Sequence, residues 1–510
     1  MKKISTDLYN LIKSLSKSEK RYFHRFASRH VLGAKNNYLS LFEFIKKQST
    51  YNEEEVKQNF EGEKFAQYFS VAKRQLYNYL LDSLHEFHAS KSSEDRIQRL
   101  IHQAEILLQK GLMFQSHRLI KIAKKKARST ANYSLLFQIL RMERSILAKM
   151  GFSKLKAEDI EAIYLEEAEC LAIMQNESTY HDLLWQVYHQ HARRGTARSS
   201  DELDKLAQLT KHPLLEHESM ARTFIARLNF HQIWATLHFM QGQVAKAKVH
   251  NQSIIALFHQ DTKKIIELPA RYFSSLKNYL VDCLVQGQHE EIDLTIQYIR
   301  QEIEGNAYKG MARLKVEVFC VTYTLQLNSY INQGHFDECK ALLEEVEDGL
   351  NTYSMHISKK EEITFYHLLA YIYFGIDDHR RALRWVNHIL NDNEKHLLQH
   401  VYAFARLLNL MIHFELGNFD ILMSLIRTSS RYLQKVDQLY EIERLFIKQF
   451  QKILDAPLGE QQEVWQTLLD KLLHLREQSA HRQLLQYFNP IPWLRAKIEG
   501  KRFADVVRRG

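Results

Sequence analysis

Proline and glycine are scarce in this chain. There are 5 prolines and 16 glycines in 510 residues, too little turn chemistry for a fold built from many short strands. Long apolar runs are also missing. No stretch of about eighteen apolar residues occurs, so no membrane span is expected. The first residues, Met1 to Asp7, lead into an amphipathic pattern and not into a secretion signal. Cysteine is sparse as well. Cys170, Cys283, Cys320 and Cys339 have neither metal-ligand nor redox spacing and read as small core side chains of a reducing compartment, so a cytoplasmic location is expected.

Catalytic signatures are absent too. The sequence contains no GxGxxG, no phosphate-binding GxxxxGK and no GxSxG. The acid pairs Glu166-Glu167, Glu344-Glu345 and Glu361-Glu362 read as solvated helix surface. Histidine is frequent, at 26 copies. His181, His189 and His191 on one segment, and His231 and His238 beside Trp234 on another, lack the convergent i, i+4 geometry of a metal site. The expectation is therefore no enzyme, no metal and no cofactor.

What is abundant favours helix: Leu, Lys, Glu, Gln, Ala and Arg. The glycines that remain are spaced. Gly111, Gly151, Gly195, Gly242, Gly287, Gly334, Gly375, Gly417 and Gly459 follow one another at steps of 40, 44, 47, 45, 47, 41, 42 and 42 residues. Each closes an apolar segment of helical period, and most open another. Glycine at such a point supplies the left-handed residue that ends a helix. A repeat of this length predicts stacked antiparallel helical hairpins, an all-α solenoid.

The chain divides on composition. Residues 1–90 precede the ladder and read as a helical region. Helices are expected from Thr6 or Asp7, from the Ser16–Glu19 break, from Asn36 to Gln48 and from an Asn52 cap to Phe60. A longer one runs from Ser70 to His88, with Val71, Leu76, Leu80, Leu81 and Leu84 inward. Ser90 to Asp95 is polar and reads as a linker. Residues 96–488 form the repeat region. Arg193 to Ser200 reads as an exposed loop within it, and Ser200 or Asp201 as the next cap. Asn489-Pro490-Ile491-Pro492 ends the last helix, and residues 489–510 form a basic cap or tail over the final repeat.

Net charge is +10. The excess lies in residues 1–30, in Arg118 to Arg128, and at the end in Arg495, Lys497, Lys501, Arg502, Arg508 and Arg509. Such patches favour polyanions or acidic partners.

The hairpins after residue 225 resemble tetratricopeptide repeats. Gly334-His335-Phe336-Asp337 and Gly417-Asn418-Phe419-Asp420 carry the turn glycine with an aromatic two residues on. Ala247 and Cys339 supply the small residue five after the glycine, as does Ser116 in the first hairpin. Leu276, Tyr279, Leu280, Cys283 and Leu284 before Gly287, and Trp234, Ala235 and Phe239 before Gly242, match core offsets of the first helix. The pattern departs from the family in its longer period, in Ile292 and Leu422, and in Ala382, which stands two places late after Gly375.

The resemblance implies a groove lined by the first helix of each hairpin. Its polar positions hold Asn229, Gln232, Lys277, Asn278, Thr324 and Asn328 in this chain. Amides pair with peptide backbone, and a lysine among them can hold a carboxylate. The expected function is a bacterial, non-enzymatic scaffold or adaptor for a peptide or protein segment. Two alternatives remain open. One is a nucleic-acid-binding regulator whose N-terminal region reads through Lys73, Arg74, Gln75 and Asn78 in a helix-turn-helix-like arrangement, although nine residues separate the two helices where that motif has three or four. The other is an assembly subunit docking through its basic ends.

Overall fold

The computed structural model describes residues 5–28, 37–88, 93–151, 156–194, 209–354, 356–392, 399–435, 441–457, 460–477 and 489–509. Gly195, Gly459, the Arg193–Ser200 loop with its following cap, and the Ser90–Ser92 part of the linker therefore fall wholly or largely outside the described residues. Those described contain no strand and form an all-α, solenoid-like series of helices that pack on their neighbours in sequence. None of the helices is long and apolar enough to cross a membrane.

The helices up to the middle of the chain are α1 (Asp7–Ser14), α2 (Lys17–Ser28), α3 (Asn37–Lys47), α4 (Glu53–Asn59), α5 (Phe69–His88), α6 (Ser93–Gln109), α7 (Met113–Ser129), α8 (Tyr133–Met150), α9 (Ala157–Arg194) and α10 (Phe224–Met240). There follow α11 (Val244–Gln260), α12 (Lys263–Glu267), α13 (Pro269–Val285), α14 (His289–Ile303), α15 (Ala312–Gln333), α16 (Lys340–Thr352), α17 (Lys359–Gly375) and α18 (His379–Leu390). The last are α19 (Gln399–Glu415), α20 (Phe419–Lys435), α21 (Glu441–Asp455), α22 (Gln461–Glu477), α23 (Ile491–Glu499) and α24 (Phe503–Arg508). The chain forms two compact units: Met1–Gln186 with Gln208–Phe230, and Val187–Ala207 with His231–Gly510. The division falls inside α9 and α10.

One turn recurs. Gly111, Gly242, Gly287, Gly334 and Gly417 all have φ between 70° and 78°. In each case the next residue's N–H reaches the carbonyl five back, as in Gln243 to His238 (2.8 Å) and His335 to Tyr330 (2.9 Å). This is the Schellman closure of a helix end, which satisfies carbonyls the helix leaves unpaired. Two non-glycine residues adopt it as well, Ala131 (φ 50°) and Asp377 (φ 63°), with Asn132 bonded to Ala127 and Asp378 to Tyr373.

Asp377 corrects one reading. Gly375 is not the left-handed residue of its turn; it is the last residue of α17, and Asp377 makes the turn two residues later. Counted from Asp377, Ala382 stands at the same five-residue offset as Cys339 after Gly334, and the displaced register disappears. The offset residues Ser116, Ala247, Ile292, Cys339, Ala382 and Leu422 are all fully buried. Helices in this fold thus meet at the position five after the turn whether the side chain is small or not.

In the first unit, α1 to α5 enclose a core of Leu8, Ile12, Phe23, Phe42, Ile45, Leu76 and Leu80, separate from the cluster that Ile101, Ile120, Ile139 and Leu140 make between α6 and α9. The Ser16 and Glu19 side chains each accept from the other's backbone N–H as a capping box for α2, and the Asn52 side chain accepts from the Glu54 and Glu55 N–H groups. Val71 and Leu81 were expected inward but are exposed; Phe69 and Ala72 take the core face of α5 instead. Glu344 and Glu345 are exposed as expected, but the other two acid pairs are not free surface. Glu166 binds Lys124 (2.8 Å) and Arg128, Glu167 binds Arg144 (2.9 Å), and Glu361 closes a capping box with Ser358.

In the second unit, alternate helices α13, α15, α17, α19 and α21 pack on one another and on the helices between them. The helix α19 is the centre of the core: from Val401 to His413 every residue but Arg406 is buried.

The C-terminal residues extend a second reading. Asn489–Pro492 opens α23, with Asn489 Oδ1 accepting from the Ile491 N–H. From there the chain does more than cover the last hairpin. It crosses three successive turns. Trp493 and Lys497 bind Glu415 (both 2.6 Å), Arg502 binds Asp377 (3.1 Å), and the Arg508 Nε donates to the Gly334 carbonyl (3.1 Å). Phe503 sits among Phe336, Tyr371 and Phe374, at centroid distances of 5.4–5.9 Å. Much of the basic charge of this segment is therefore spent inside the molecule.

Candidate partner-binding surface

The six expected groove positions divide into three situations. Asn229, on α10, is buried at 1 % exposure and presents nothing to solvent. Gln232 and Asn278, on α10 and α13, are half-buried and meet each other, the Asn278 amide donating to Gln232 Oε1 at 3.5 Å. Lys277 beside them is exposed. Thr324 and Asn328 stand one turn apart on α15, where Asn328 Nδ2 donates to the Thr324 carbonyl (2.7 Å). Gln232 and Asn278 thus form a polar junction between two helices, and α15 carries a second polar step.

The row does not continue into α19. The residues at the same offsets before Gly417 are Phe404, Leu407, Leu408 and Met411, and all four are buried. Before Asp377 the equivalent positions are Thr364, His367, Leu368 and Tyr371, of which Leu368 is buried and the other three are half-buried. The polar stripe therefore belongs to α10, α13, α15 and α17, and the buried helix α19 ends it.

A deeper polar network lies behind this stripe. Lys248 of α11, buried at 8 % exposure, binds Glu291 (2.5 Å) and lies 5.1 Å from the Tyr279 ring centre. Asn251 Nδ2 donates to Asp282 at 2.6 Å. Burial pushes the Asp282 carboxyl up to about 6, against the opposing pull of Asn251 and Lys248. His231, His238 and His250 gather around Trp234, with the two Nδ1 atoms of His231 and His250 3.0 Å apart. Burial and the other two histidines push His250 down to about 4. Among the described residues no three His, Cys, Asp or Glu side chains converge as a metal site. Cys170, Cys283, Cys320 and Cys339 are buried thiols, each raised by burial.

The four N-terminal candidates also separate. Lys73 is drawn into the protein: its ammonium binds Glu53 (2.6 Å) and the Ser5 carbonyl (3.0 Å) and lies 5.1 Å from the Tyr51 ring centre. Arg74, Gln75 and Asn78 are exposed on α5, with Gln75 accepting from the Tyr38 hydroxyl. A 3-10 turn at Lys64–Tyr68 lies between α4 and α5, so the two helices do not meet through the short turn of a helix-turn-helix. Comparison with protein-family models, with curated proteins and with solved structures yields no match.

The sequence reading passed over α18. Its residues His379–Leu390 include three arginines and no carboxylate. That imbalance is legible in the sequence as three arginines within five residues and no acid among them.

Proposed function

We propose that this protein is a non-enzymatic, cytoplasmic adaptor of tetratricopeptide-repeat type that holds an extended peptide or protein segment along its polar stripe. The observation that carries the reading is the junction of Gln232 and Asn278, with exposed Lys277 beside it and Thr324 and Asn328 on the next helix of the same set. Amides on neighbouring helices offer donors and acceptors that a peptide backbone can pair with. Lys277 adds a single charge able to hold a carboxylate.

Replacing Lys277, Asn278 and Asn328 together by alanine tests this. All three are at least partly exposed, so the fold should survive, as far-UV circular dichroism would confirm. Affinity purification from the native lysate should then lose the partners that the unaltered chain retains. The same partners on both chains would end the reading.

A further inference from the structure

The arginines of α18 are unequally employed. Arg381 pairs with the cap residue Asp378 (3.5 Å) and lies over Tyr373. Arg380 and Arg384 are exposed and make no ion pair among the described residues, although Arg384 lies 5.5 Å from the Trp385 ring centre. They stand one turn apart, so their charges repel. Arg380 also lies in the first turn of the helix, where the dipole disfavours a cation. An anion between them would relieve both strains.

They open onto a cleft of about 670 Å³. Asn387 and Asn391 continue the same helix face. Across the cleft, Lys359 is shared by two carboxylates, the lining residue Asp392 (2.6 Å) and Glu362 (2.7 Å). Tyr366 and His388 line the cleft, and the buried Trp385 ring packs against both. His388 lies 5.2 Å from Tyr366 and 5.4 Å from Trp385, Tyr366 and Trp385 are 5.3 Å apart, and all three pairs are tilted by 32–40°. The Tyr366 hydroxyl donates to Glu362 (2.5 Å), which fixes that ring.

We infer that this cleft is a nucleotide site. Phosphate lies between Arg380 and Arg384, the base lies against the Tyr366–His388 rings, and its polar edge faces Asn387 and Asn391. From Arg380 to Asn391 the helix rises roughly 16 Å, room for phosphate, sugar and base in one line. Guanidinium pairs suit phosphate, and an aromatic platform beside cations suits a base. An acidic peptide would use the arginines and leave rings and amides idle. The inference does not depend on the peptide-stripe reading, because the residues are different.

The test is a binding measurement on the full chain with ATP, pyrophosphate, a twelve-nucleotide oligouridylate and polyglutamate. ATP or the oligonucleotide should bind more tightly than pyrophosphate or polyglutamate. Arg380→Ala with Arg384→Ala should weaken that binding at least tenfold. Tyr366→Leu should weaken nucleotide binding and leave pyrophosphate unchanged. An oligonucleotide preference with a steep salt dependence identifies a strand as the source; equal affinity for ATP identifies a free nucleotide. Photo-crosslinking of 8-azido-ATP to the unaltered chain should mark residues 359–392, and needs no variant. Binding that ignores the arginines, polyglutamate binding as tight as nucleotide, an adduct elsewhere, or no nucleotide binding at millimolar concentration and low salt would overturn the assignment. The Lys277/Asn278/Asn328 variant should bind nucleotide normally.

Discussion

Phe336 lies so close to Gly375 that a β-carbon on the glycine would fall 2.3 Å from its Cδ1 and 2.6 Å from its Cε1. Gly375 is buried at the end of α17, and Phe336 is buried as well. The glycine is needed for space, not for backbone freedom. An exposed helical glycine changed to alanine gains about 0.5–1 kcal/mol. Gly375→Ala should instead lose about 1–3 kcal/mol through overpacking. Adding Phe336→Leu should recover part of the loss. Urea unfolding measures both, and a stabilised single variant would contradict the packing account.

Gly334 and Gly417 share φ 70° but not their surroundings. A β-carbon on Gly334 would meet the Arg508 N at 2.7 Å, whereas on Gly417 it would meet only Phe419, at 4.0 Å. Gly417→Ala should cost about 1 kcal/mol, the left-handed penalty alone. Gly334→Ala should cost more and should loosen residues 503–509. Equal melting-temperature losses would show that α24 does not bear on the Gly334 turn.

The C-terminal segment is held by burial more than by charge. Trp493 is buried at 1 % exposure and its Nε1 donates to Glu415. Trp493→Ala should cost about 3–5 kcal/mol. Arg502→Ala breaks a pair whose partners are about half exposed, so its effect should stay within about 1 kcal/mol. Thermal unfolding of the two variants separates these contributions.

Two buried carboxyls predict the pH dependence. Burial raises Asp282 to about 6 and Glu443 to about 7. A group raised on folding binds its proton more tightly in the native state. Its stabilising contribution is complete below the unfolded value and is lost as pH rises through the folded value. Asp282→Asn should therefore stabilise the protein more at pH 7.5 than at pH 5. The rise from 3.8 to about 6 bounds the effect at about 3 kcal/mol. Urea midpoints at the two pH values check it, and a gain independent of pH would exclude the carboxyl as its source.

Much of the turn pattern was legible before any coordinates. Gly111, Gly242, Gly287, Gly334 and Gly417 could be read because only glycine enters the left-handed region at little cost. Asp377 and Ala131 could not, because their conformation is imposed by the packed helices on either side. Lys73 and Lys277 look alike in sequence. Their difference, one bonded to Glu53 and the other exposed, arises from residues twenty positions away and from helix packing.

The sequence by itself determined an all-helical chain and those of its turns that glycine makes, since both follow from local propensity and from backbone sterics. Only the tertiary structure decided which cations remain available. Arg502 and Arg508 reach Asp377 and Gly334 across more than a hundred residues, while Arg380 and Arg384 face a cleft whose one lining carboxylate, Asp392, is bound to Lys359. Charge pairing depends on distance in space, and spacing along the chain records only its local part.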